Sequence, residues 1–221
     1  MQSKLITYEG IVLHSRKGRE GGRTLFIFTK ENGLMQFTVP RAVMNQYGTG
    51  ALLTFTDLCF SAVSLPQFSV IRQYEGKLLL HMTDMTYEEM QQWYYVLELV
   101  LQLFPKQQSD LRSYHVLRKA VLVANEKNKM VTAFVAAIQL LACAGFNPVV
   151  PEAWKEKGLS EAAQKLLIAF YQYRWEDSFQ GTISFAAFEE CASYIDWFIS
   201  KYCDMMLHTK GAFLKSISYT L

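Results

Sequence analysis

At 221 residues the chain suits one large domain or two small ones, and with 51% of it hydrophobic it can bury a real core, which argues against an intrinsically disordered protein. The net charge of +2 excludes neither a basic nor an acidic partner, but the charge is unevenly placed: residues 1–80 hold nine basic and five acidic side chains, a net of +4, which leaves −2 for the remainder. A basic head on a slightly acidic body points to nucleic acid or an acidic peptide, and ordinary surface charge accounts for it equally well at the level of composition. The four cysteines (Cys59, Cys143, Cys191, Cys203) form no C-x-x-C pair and mostly sit in apolar runs, as small buried hydrophobes of a reducing compartment do. Lys4, Glu9 and His14 interrupt any signal-peptide core, and the most apolar run, residues 130–146, is too short for the ~18–20 residues that span a bilayer. A cytoplasmic protein without a membrane partner is expected.

Residues 8–41 read as three short strands. Residues 8–15 and 24–29 are rich in Val, Ile, Leu and Phe and are separated by a charged, Gly-rich break. Lys30-Glu31-Asn32-Gly33 is a hairpin signal before a third run at 34–39. Residues 42–50 form a loop, or a short helix with a loop. Residues 51–64 and 68–74 resume strand character on either side of Leu65-Pro66. Five short strands with a longer connection after the third suggest a small Greek-key barrel of OB-fold type, with an SH3-like barrel as the nearest competitor.

From about residue 81 the period changes. Thr86-x-x-Glu89 is a capping box that opens a helix with Met90, Trp93, Tyr94, Leu97, Leu101 and Phe104 as its inward stripe, ended by Pro105. Ser109 or Asp110 caps a second helix with Leu111, Tyr114, Leu117, Val121 and Leu122 inward. Residues 130–144 are apolar on nearly every side, so this helix is expected at the centre of a helical domain, stopped by Gly145. Residues 148–159 read as a loop around Trp154. Ser160 caps a helix carrying Leu166, Leu167, Phe170 and Tyr171. A long helix starts at Ser184 with Phe188, Ile195, Phe198, Ile199, Tyr202 and Met206, and a last segment follows Lys210-Gly211. The expected architecture is α+β: an N-terminal five-stranded barrel over residues 1–80, then an all-helical domain over 81–221.

No catalytic constellation stands out. The chain has no G-x-S-x-G, no nucleotide-binding P-loop and no H-E-x-x-H. His81, Asp84 and Glu88 fit helix capping better than metal binding, and Cys203 with His208 supplies only two ligands where zinc needs more. Gly21-Gly22 lacks the Lys-Ser/Thr of a phosphate loop and fits a flexible strand connection. The expectation is a protein that is not an enzyme and has no cofactor or metal. The best candidate site is the basic set Arg16, Lys17, Arg19, Arg23, Lys30 and Arg41, because Lys and Arg gain affinity for phosphates through counterion release. Phe26, Phe28, Phe37 and Tyr47 could add base stacking, but both faces of the second strand are apolar, so alternation does not tell core from surface. Arg112, Arg118 and Lys119, with Lys127 and Lys129, could rim the apolar helix and take an acidic peptide ending in a hydrophobic residue; a solvated helix face explains them as well.

Four segments resemble the RecO family of bacterial recombination mediators. They are Glu9-Gly10-Ile11-Val12-Leu13 with Glu20 and the hairpin at 25–33; Pro40-Arg41-Ala42 through the run at 50–58; residues 134–148, ending Ala144-Gly145-Phe146-Asn147-Pro148; and Lys215-Ser216 in Phe213-Leu214-Lys215-Ser216. They fall in order over nearly the whole chain. The resemblance implies an OB-fold followed by a helical domain, and no covalent catalysis. It also implies binding to single- and double-stranded DNA with strand annealing, and partnership with RecR, with the acidic C-terminal tail of single-strand binding protein and, indirectly, with RecA at the nucleoid. The basic loop residues fall where such a barrel presents DNA-contacting loops. Many members carry a four-cysteine zinc site after the Gly-Phe-x-Pro segment. Residues 149–190 here contain no cysteine, so no zinc is expected and packing is expected to hold the segment around Trp154. A protein-binding adaptor with no direct DNA role is the alternative, as is a relative retained only as a structural partner.

Overall fold

A computed structural model describes residues 4–64, 69–177 and 182–210, with Arg19 in its backbone only. The expected break at Leu65-Pro66, the start of the fifth strand at Phe68, the break at Gly181 and the segment from Gly211 onward, with Lys215-Ser216, lie outside the described residues. The chain divides into two compact units. The first comprises residues 1–83 together with 104–122, the second 84–103 together with 123–221.

In the first unit β1 (Leu5–Lys17), β2 (Arg23–Thr29), β3 (Gly33–Val39), β4 (Thr56–Ser64) and β5 (Ser69–Leu78) close into a barrel in the order β1-β2-β3-β5-β4. All neighbours are antiparallel except β3 and β5. Five strands in this order, with α1 (Arg41–Tyr47) between the third and fourth, make the OB-fold that the strand count suggested. Alternate side chains fill it: Tyr8 and Val12, Leu25 and Ile27, Met35, Phe37 and Val39, Leu58 and Phe60, Ile71 and Tyr74. Met44 of α1 and Leu52 belong to the same cluster. At its centre Tyr8 stacks on Phe60 at 5.4 Å, and Phe37 meets Phe60 edge-on at 4.7 Å. Truncating a fully buried ring such as Phe60 to Ala costs about 3–5 kcal/mol.

The seam between β3 and β5 is short. Among the described residues it holds two parallel pairs, Phe37↔Ser69 and Thr38↔Val70. The other end of β3 is met by residues 104–108: Leu34 bridges to Lys106, and the Gln107 amide donates to the Leu34 carbonyl at 3.0 Å. Phe104 lies on Phe28 at 5.3 Å, so Phe28 is buried although it points out of the barrel. Helix α3 (Leu111–Val123), capped by Asp110 through the Ser113 amide at 3.0 Å, follows directly. Residues 104–122 therefore belong with the barrel, whereas the change of period in the sequence places the boundary at residue 80.

The second unit contains α2 (Tyr87–Leu103), α4 (Lys129–Cys143), α5 (Pro151–Lys157), α6 (Glu161–Gln172) and α7 (Phe185–Tyr202). The capping box forms reciprocally, with the Thr86 amide on Glu89 Oε2 at 3.0 Å and the Glu89 amide on Thr86 Oγ1 at 3.2 Å. Helix α4 is buried along most of its length, and Phe134 touches both Phe170 and Phe188. Its one interior amide, Gln139, donates Nε2 to the carbonyls of Phe170 at 3.2 Å and Tyr173 at 2.8 Å.

The segment expected as a loop around Trp154 is instead helix α5. Pro151 sits at its first turn, where a missing N–H costs nothing, and Gly158 in the left-handed conformation ends it. Trp154 Nε1 and the Tyr194 hydroxyl both donate to the Pro148 carbonyl. Tyr94, Leu111 and Leu122, expected on the inward stripes, are exposed, because what each helix packs against sets its buried face and not hydrophobicity alone; α7 ends at Tyr202, so Met206 lies beyond it. No helix among the described residues is long and apolar enough to cross a membrane.

Glu98 ties down the end of the described chain. It accepts from the amides of His208 and Thr209, each at 2.8 Å, and from Thr209 Oγ1 at 2.7 Å. Partial burial pushes its pKa up, but the hydrogen bonds from Thr209 and His208 outweigh this and hold it below the ordinary 4.5. A carboxyl with a depressed folded value contributes stability that is complete above its unfolded value and is lost as pH falls through the folded one. Residues 203–210 are expected to stay docked at neutral pH and to become protease-sensitive as the pH falls through the depressed Glu98 value, below the ordinary carboxyl range, with Glu98→Gln showing that sensitivity at neutral pH.

Gly33 has φ +65°, and a Cβ there would lie 1.9 Å from the Gln108 carbonyl oxygen. Gly33→Ala is expected to destabilise the protein by roughly 2–4 kcal/mol in urea unfolding. Gly50→Ala, with nothing within 4 Å of the new methyl, is expected to stay within about 0.5 kcal/mol of wild type.

Candidate nucleic-acid interface

The strand register builds the outer surface of β1-β2-β3. Gly10, Ile11 and Val12 pair with Thr29, Phe28 and Ile27; the register then shifts so that His14 pairs with Phe26 and Arg16 with Thr24. Leu13 is the extra residue of a β-bulge. Without it, alternation from the inward Val12 would turn His14 and Arg16 into the barrel; with it, they share the outer face with Phe26. Phe26 pairs in turn with Gln36 of β3, so His14, Phe26 and Gln36 form one outward row across three strands. His14 and Gln36 are exposed and Phe26 is half-buried. The Arg16 guanidinium lies over the Phe26 ring, 5.4 Å from its centroid, and the His14 ring lies 6.0 Å away. An exposed cation–π contact of this kind is worth about 0.5–1 kcal/mol.

Four of the expected cations gather at this end of the barrel. Lys17 pairs with Arg23, and Arg23 with Val39, so the chain leaves β3 beside them and enters α1 at Arg41. Arg41 also reaches the β1-β2 turn, where its Cδ lies 3.3 Å from the position of a Cβ on Gly21. Arg23 Nη1 donates to Ser15 Oγ at 2.9 Å, and the turn is closed by the Gly18 amide on the Gly22 carbonyl at 2.8 Å. Among the described residues none of Arg16, Lys17, Arg23 and Arg41 pairs with a carboxylate. The Arg19 side chain lies outside the described residues.

Lys30 is not part of this group. It follows the far end of β2, roughly 20 Å along the strand from Arg23 at about 3.3 Å per residue. Its Nζ is 3.1 Å from Glu9 Oε2. There it lines a cleft of ≈ 630 Å³ with Asp57, Cys59, Glu75, Tyr114 and Arg118. Burial, then the charges of Glu75, Glu9 and Asp57, push the Cys59 thiol pKa up. Burial, then Asp57, raises the Tyr114 hydroxyl to about 12.

Of the residues expected to rim a peptide groove, Arg118 and Lys127 are engaged within the protein. Arg118 donates Nε and Nη2 to Asp57 Oδ2 at 3.0 and 2.7 Å, and the hydrogen bond to Asp57 raises its pKa further. It clamps α3 to β4 within the first unit. Arg112 and Lys119 lie exposed on the same helix. Lys127 is taken up by the Tyr173 hydroxyl and the carbonyls of Trp175 and Asp177, all within 2.8 Å.

Of the four candidate stacking rings, Phe37 is inside the barrel and Phe28 lies under Phe104. Phe26 is half-buried, and Tyr47 is 40% exposed and leans on Tyr74 at 5.4 Å. Sequence reasoning does not single out His14 or Gln36. An exposed His and an exposed Gln carry no signal until the bulge fixes which face they occupy. Among the described residues no group of three His, Cys, Asp or Glu side chains is placed to hold a metal ion. In comparisons with known proteins, no protein-family model matches this chain and no curated protein matches it.

Proposed function

We propose that this chain is a DNA-binding recombination mediator of the RecO type, which captures single strands on one end of its barrel, anneals complementary strands and helps load recombinase onto strands coated by single-strand binding protein. The observation that carries the reading is the cluster of Arg16, Lys17, Arg23 and Arg41, four cations without carboxylate partners among the described residues, beside a half-open aromatic ring on an OB-fold. Cations without partners on a protein surface are set to displace counterions from a phosphate backbone, and that release supplies most of the non-specific affinity for nucleic acid. The face of β2 and β3 and the β1-β2 turn are among the surfaces this fold offers to oligonucleotides. The sequence resemblance to RecO adds the partners: RecR, the acidic tail of single-strand binding protein, RecA indirectly, and the nucleoid as the place of action. In this reading the protein catalyses no covalent step; it lowers the barrier to strand pairing by neutralising two phosphate backbones at once.

The test is anisotropy of a labelled single-stranded oligonucleotide across a salt series, alongside annealing of complementary strands. Wild type is expected to bind with a steep salt dependence. Changing Arg16, Lys17, Arg23 and Arg41 together to Ala is expected to flatten the log–log slope by about three, at roughly 0.7 for each phosphate of a single strand that is no longer neutralised. Annealing of coated strands should slow in parallel. Lys30→Ala, at the ion-paired end, is expected to leave the slope unchanged. An unchanged slope in the quadruple variant would overturn the reading, and binding only to the coating protein would favour a protein-directed adaptor.

A further inference from the structure

We propose that Phe26 is the platform on which an unpaired base stacks, with Arg16 held over its ring until the base arrives and then released to the adjoining phosphate. This rests on the nucleic-acid reading above and narrows it to a ligand class: a strand whose bases are free, in preference to duplex.

The geometry singles out this ring. Phe28 and Phe37, its neighbours in the same sheet, are fully buried, and Tyr47 already leans on Tyr74. Phe26 alone among the phenylalanine and tyrosine residues of β1, β2 and β3 combines an outward direction with remaining accessibility. The ring and the cation that lie against it are His14 and Arg16, both exposed and both brought to that face by the bulge at Leu13. A base lying on Phe26 would have His14 on one side and Gln36 on the other, two side chains able to hydrogen-bond to its edge without demanding one base identity.

The exchange runs in the required direction. Stacking a base on an aromatic ring is worth about 5- to 150-fold in affinity. An exposed cation–π contact such as that of Arg16 is worth about 2- to 5-fold. The base therefore displaces the guanidinium, which stays within reach of the phosphate next to that base. Duplex bases are stacked on one another and offer no free π-face, so duplex gains only the phosphate contacts.

Three ligands of equal length separate these contributions: an intact single-stranded oligonucleotide, a strand of abasic sites with the same phosphates, and a duplex. Phe26→Leu is expected to weaken binding of the intact strand at least about 5-fold, to leave the abasic strand and the duplex within about twofold, and to leave the salt slope unaltered, because every phosphate stays neutralised. Phe26→Trp should retain affinity, and its added indole fluorescence should be quenched by the intact strand and not by the abasic one. That second variant reports stacking even if Phe26→Leu folds poorly. Equal weakening on intact and abasic strands, or an indole indifferent to bases, would overturn the proposal. Failure of the wild-type protein to bind any of the three would overturn the underlying nucleic-acid reading, and this inference with it.

Discussion

The short seam between β3 and β5 is the constraint on which the first unit depends. A five-stranded sheet closes only if every edge finds a partner, since a bare edge leaves backbone groups unpaired. Here β5 covers one end of β3 and residues 104–108 cover the other. That second cover fixes much else. It demands a glycine at position 33, where the Gln108 carbonyl comes too close for any Cβ. It brings Phe104 onto Phe28, and it delivers α3 to the position where Arg118 grips Asp57. With the Arg118 and Asp57 side chains 40% and 23% exposed, solvent screening keeps that pair's contribution small, on the order of 1 kcal/mol or less. The burial of Phe28 and Phe104 stabilises this corner more.

The two ends of the barrel differ in how their charges are partnered. At one end Glu9, Asp57 and Glu75 lie among Lys30, Lys77 and Arg118 around a shared cleft, and Lys30 and Arg118 are each engaged by a carboxylate. At the other, four cations stand together without such partners among the described residues. With a Debye length of about 8 Å at physiological ionic strength, ends that lie roughly 20 Å apart do not cancel one another. A chain with a net charge of only +2 can therefore present a strongly basic end to a polyanion.

Much of this is legible in the sequence, wherever the signal is local. Asn32-Gly33 marks its hairpin, and Thr86 and Glu89 form the capping box that their spacing announces. The apolar girth of residues 130–144 marks the central helix of the second unit. The strand count and the long connection after β3 suffice for the barrel. What stays hidden is non-local or depends on parity. The pairing of Leu34 with Lys106 leaves no trace in periodicity, so neither the extent of the first unit nor the true role of Arg118 shows. A single extra residue, Leu13, reverses which face His14 and Arg16 occupy, and both faces of β2 are apolar, so pattern alone does not tell the surface ring from the buried ones. Nearness in sequence groups Lys30 with the basic turn, although a strand's length lies between them. Residues 148–159 read as a loop, while Pro151 at the first helical position starts a helix.

The division of the chain into interleaved segments also bears on how the protein is made. The polypeptide emerges N-terminus first, and domains generally fold as units during synthesis at about 5–20 residues per second. Here the strands are complete by Leu78, yet residues 104–122, which cover Phe28 and the edge of β3, come only after α2. The intervening stretch, residues 79–103, takes roughly 1–5 seconds to synthesise at that rate. For that interval the nascent barrel presents an uncovered phenylalanine and an unsatisfied strand edge to its surroundings, and both are covered only when residues 104–108 arrive.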